Sequence, residues 1–133
     1  MIESTELLKK LQVKSGSRLW LINVPRDFAE ALTAGAEVEP VRHGEVYDGA
    51  IAFCENPAEV ASFASQILPS LPEDGLLWFA YRKGDAAKKT GLSRDAGWSA
   101  LTEQRFGPVR SIAFDDVWTG LRFRHNSAVP SRR

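Results

Sequence analysis

Residues 48–81 constrain the fold more than any other part of the chain. Asp48-Gly49-Ala50-Ile51-Ala52-Phe53-Cys54 is one apolar run, and Leu76-Leu77-Trp78-Phe79-Ala80-Tyr81 is another. Runs without polar alternation suit strands covered on both faces, the situation of parallel strands flanked by helices. Between them, Asn56 is placed to cap a helix, with Pro57 at its first position and Glu59 at its third. Val60, Phe63, Ala64, Ile67 and Leu68 follow the i, i+3, i+4, i+7, i+8 spacing of a helix lying on a sheet. Pro69, Pro72 and Gly75 stop it. Strand, helix and strand make a βαβ unit, whose crossover is right-handed in nearly all cases.

The flanking segments extend this pattern. Ser4 to Leu11 reads as a short amphipathic helix, with Leu7, Leu8 and Leu11 on one side and Ser15-Gly16-Ser17 as its break. A first strand runs over Arg18-Leu19-Trp20-Leu21-Ile22-Asn23-Val24. A helix is expected directly after it, with Asp27 as its cap, Glu30 completing a capping box and Gly35 at its end. Ala36 to Val41 is a weak strand, and Pro40 assigns it to an edge. A last helix is expected between Ser93 and Arg105, with Trp98, Leu101, Thr102 and Arg105 on one face, despite the cost of Gly97. Gly107-Pro108 is read as its stop. Val109 to Phe114 and Thr119 to His125 are two strands joined so closely that they must be antiparallel.

Composition narrows the class of protein. The 133 residues fit one domain, expected over 1–125, with a flexible polar tail over 126–133. A chain of this size buries roughly two-thirds of its unfolded surface, so it needs neither disulfides nor a structural metal. Cys54 is the single cysteine, which excludes an internal disulfide and suits a reducing compartment. Lys plus Arg equals Asp plus Glu at 17 each, which argues against nucleic-acid binding, a function that needs a surplus of cations. The acidic start Met1-Ile2-Glu3-Ser4-Thr5-Glu6 lacks the apolar block of a signal peptide, and no run approaches a membrane span, so a cytoplasmic location is expected.

The junction after the first strand reads Asn23-Val24-Pro25-Arg26, with no glycine. Nucleotide-binding α/β domains place glycines there so that backbone N–H groups can approach a phosphate or a cofactor's polar tail. The series of parallel elements closed by an antiparallel hairpin resembles class I S-adenosylmethionine-dependent methyltransferases. Leu68-Pro69-Ser70-Leu71-Pro72-Glu73-Asp74-Gly75-Leu76-Leu77 is similar to the passage before a late central strand in that superfamily. The chain also resembles a small bacterial family known only as a domain of unknown function. The shared pieces are Leu7-Leu8-Lys9-Lys10-Leu11-Gln12-Val13-Lys14-Ser15-Gly16, the strand end Trp78 to Lys83, and Asp116-Val117-Trp118-Thr119-Gly120-Leu121. Both resemblances imply an α/β, three-layer Rossmann-like sandwich. Its mostly parallel six-stranded sheet would have the order 2-1-3-4-6-5, with strand 6 running against the rest. The chain departs from the methyltransferase pattern in three ways: the glycine turn, one strand–helix unit, and a clear acidic residue after the second strand, for which Glu37 and Glu39 are loose candidates.

Ligands of open α/β sheets bind outside the carboxyl ends of the parallel strands, where strand order reverses. The candidate ligand residues are therefore Asn23, Arg26, Glu55, Tyr81, Arg82 and Lys83, with the arginines and Lys83 suited to an anion. Cys54 sits there too, and is read as a buried structural thiol rather than a nucleophile. His43 and His125 have no metal spacing, Asp115-Asp116 reads as a turn, and Lys83, Lys88, Lys89 and Arg94 read as solvated surface. No catalytic residue, metal or cofactor is assigned.

Trp20, Trp78 and Trp98 are expected in the core, while Trp118 is either packed over the sheet end or part of a partner surface. Leu121-Arg122-Phe123-Arg124-His125 alternates as a strand with one wet face does, at odds with a position between two strands. Trp118, Arg122 and Arg124 are accordingly candidates for a homodimer interface. The expected function is a small-molecule-binding or regulatory domain without cofactor-dependent methyl transfer. The alternatives are an enzyme using the strand-end cleft and a dimeric interaction subunit.

Overall fold

The computed structural model describes residues 17–33, 38–41, 44–72, 75–82, 92, 97–114 and 117–125. In chain order these form β1 (Ser17–Ile22), α1 (Arg26–Thr33), β2 (Val38–Val41), β3 (Gly49–Phe53), α2 (Pro57–Ile67), β4 (Leu76–Arg82), α3 (Ser99–Thr102), β5 (Phe106–Ala113) and β6 (Trp118–His125). The strands make one sheet of order β2-β1-β3-β4-β6-β5, the order implied by the resemblance. β1 pairs with β2 and β3, and β3 with β4, all in parallel; β6 runs antiparallel to both β4 and β5.

Successive strand residues face opposite sides of the sheet, and each side has its own core. Trp20, Ala50, Ala52, Leu77, Phe79, Tyr81, Leu121 and Phe123 pack against Val60, Ala64 and Ile67 of α2 and against Leu101 of α3. Leu19, Ile51, Phe53, Trp78, Ala80 and Trp118 pack on the other side with Phe28 and Leu32 of α1 and with Phe114. All five residues of β3 are buried, which explains its unbroken apolar run. Fully burying a large apolar side chain stabilises by roughly 1.5–3 kcal/mol, so the two clusters hold the sheet from both sides.

The βαβ unit forms as expected. Asn56 caps α2, its Oδ1 accepting from the Glu59 N–H at 2.9 Å. Glu59 Oε1 reaches back to accept from the Glu55 N–H at 2.7 Å, one residue earlier than in a standard capping box.

The ends of other elements differ from the sequence reading. α1 starts at Arg26, the Pro25 carbonyl accepting from the Ala29 N–H at 2.9 Å. Asp27 therefore lies inside the first turn, where its charge favours the helix dipole, and does not cap. Gly97 has φ +96°, incompatible with a helix, and α3 is only the turn Ser99–Thr102. Gly107 and Pro108 do not end a helix; they belong to β5. Phe106 pairs with His125 and Pro108 with Phe123, followed by a bulge before Arg110. β5 is an edge strand, where proline is tolerated, and the bulge follows directly after Pro108. The helix expected over Ser4–Leu11, Gly35 and the tail 126–133 lie outside the described residues.

Two stretches of the sheet are covered by single aromatic side chains. Only seven residues separate the parallel strands β2 and β3, fewer than a helical crossover needs. Tyr47 in this connection lies over Trp20, ring centroids 5.4 Å apart, and covers part of the sheet that a helix would otherwise shield. Its hydroxyl donates to the Ile67 carbonyl at 2.9 Å.

On the opposite side, β6 lies between β4 and β5 despite its alternating sequence. Leu121 and Phe123 face α2 and α3 and are buried, whereas Arg122 and Arg124 on the alternate face are half-buried. Phe114 fills this second side beside Gly120, where a Cβ would overlap its ring.

Candidate functional site

The carboxyl ends of β1, β3 and β4, where sheet order reverses, meet in one region. After Ile22 the chain turns through Asn23, whose φ of +59° is left-handed. Asparagine tolerates this conformation better than most residues. The turn directs the Asn23 side chain across to β3, where its Nδ2 donates to the Phe53 carbonyl at 3.0 Å. Val24 packs on the α1-side core and Pro25 has no N–H. The crevice between β1 and β3 is thus bridged by the protein's own side chain where a nucleotide-type site would present bare amides.

The acid and base beside this bridge hold each other. Arg82, the last residue of β4, donates from Nε and Nη2 to the two carboxylate oxygens of Glu55, at 2.7 and 2.9 Å. Its guanidinium lies 4.6 Å from the centre of the Trp118 ring. Trp118 in turn meets Phe53 edge-on at 4.8 Å. The hydrogen bond from Arg82 holds the Glu55 carboxyl below its ordinary range, against an opposing effect of burial. The same bond pushes the Arg82 guanidinium up.

Cys54 is fully buried, and its N–H continues the ladder to the Ala80 carbonyl at 2.9 Å. Burial, followed by the charges of Glu59 and Glu55, pushes its thiol far up, so it stays protonated and is a poor nucleophile.

The predicted site residues divide among several places. Asn23, Glu55 and Arg82 lie at the strand ends. Tyr81 faces the other side of the sheet and packs edge-on against Trp98, centroids 5.8 Å apart. Arg26 is 90% exposed and, among the described residues, pairs with Glu30, one turn along α1, at 3.4 Å. Trp118 is buried and stands opposite Arg82, among the strand-end residues, while Arg122 lies opposite Trp78 in mid-sheet. Glu39 lies within β2 and pairs with Arg18 at 3.6 Å. Glu37, Lys83, His43, Asp115 and Asp116 fall outside the described residues. Among the described residues no helix is long and apolar enough to cross a membrane, and no three His, Cys, Asp or Glu side chains gather as metal ligands.

The residue missed by sequence reasoning is Phe53, as acceptor for Asn23. Trp118 takes the first of its two expected places, packed over the sheet end, where it covers Arg82: with strand 6 antiparallel to strand 4, the start of one must adjoin the end of the other.

A mostly parallel sheet of this order, closed by one reversed strand, makes a Rossmann-like fold similar to that of known methyltransferase structures. The chain is similar to the N-methyltransferase NodS from Bradyrhizobium japonicum, with a TM-score of 0.56 and 15% identity over 92% of this chain and 93% of that one. It is also similar to fibrillarin from Aeropyrum pernix in complex with natively bound S-adenosyl-L-methionine, with a TM-score of 0.53 and 14% identity over 86% of this chain and 68% of the other. No family model and no curated protein sequence matches the chain. At these identities the likeness is one of fold.

Proposed function

We propose that the chain is a small-molecule-binding or regulatory domain built on the methyltransferase fold, without methyl transfer from S-adenosylmethionine. The bond from Asn23 to the Phe53 carbonyl carries this reading. It spans the crevice between the two strands that flank the reversal of sheet order, and Val24 and Pro25 fill the adjoining bend. Glu55 and Arg82 are already engaged with each other, so a ligand at the strand ends would have to separate a two-bond pair. Such charge-assisted, bidentate pairs are among the stronger side-chain hydrogen bonds.

Concave surface lies beside α2, where clefts of about 600 and about 660 Å³ are both lined by Ser65 and Pro69. Calorimetric titration of the protein with S-adenosylmethionine tests the reading. No binding heat is expected, and micromolar affinity would overturn it.

A further inference from the structure

We draw no further inference here: the strongest candidate, the cleft of about 600 Å³ between α2 and α3 with Ala64, Leu68, Ala100 and Phe106 in its apolar wall, carries nothing because nothing in the structure shows what covers it.

Discussion

Asn23 is the residue on which the strand-end geometry turns. It combines a left-handed backbone with a bond to the Phe53 carbonyl, and few side chains serve both purposes. Asn23→Ala keeps the strained backbone and loses the bond, so a destabilisation of about 1–2 kcal/mol is expected in urea unfolding. Asn23→Gly relieves the backbone and should cost less; equal stability of the alanine variant and the wild type would remove the bridge from the account.

Glu55 gives a prediction in pH. Its folded-state pKa lies below the unfolded value, so the pair's contribution is complete above the ordinary carboxylate range of about 4.3. That contribution is lost as pH falls through the folded-state value. Both partners are more than a third exposed, which limits the contribution to roughly 0.5–1 kcal/mol. Glu55→Gln should lose that much near neutral pH, and its unfolding curve should converge on wild type in acid.

The elements show which physical signals were readable in the sequence. β3, α2 and β4 follow from apolar runs, a cap at Asn56 and the stops at Pro69 and Pro72, all local signals that agree with one another. The last helix misled because its pattern extended through Gly97, while tertiary pairing drew Phe106, Gly107 and Pro108 into β5. A proline on an edge strand is tolerated, and no local feature distinguishes that from a helix stop. The site was legible as a region, the strand ends, but not as an arrangement: side chains that cross between strands depend on register, and register is not written in either strand alone.

Two predictions belong at this scale. Arg105 follows α3 with φ +69°, a position that glycine fills at no steric cost. Arg105→Gly should raise stability by about 0.5–1 kcal/mol in thermal or urea unfolding. In β6, a Cβ at Gly120 would overlap the Phe114 ring, so Gly120→Ala should cost about 1–3 kcal/mol. Phe114→Leu in the same chain should recover part of that loss; full additivity of the two changes would show that the ring is not the obstacle.

At the scale of the whole molecule, the sheet is that of a Rossmann-like fold, with side chains of its own meeting across the strand ends. The open order β2-β1-β3-β4-β6-β5 also leaves two outer strands, and each contains a proline: Pro40 in β2 and Pro108 in β5, the latter beside a bulge. Unpaired strand margins are templates for another chain, and proline withholds the donor such pairing needs. Replacing both prolines with valine should lower the concentration at which the protein stays clear on gentle heating, measured by turbidity. Unchanged clouding would show that these margins are guarded by something else. The consequence reaches beyond stability: with a donor withheld on each rim, lengthening the ladder with the strand of another copy is disfavoured, which works against fibre seeding at high abundance.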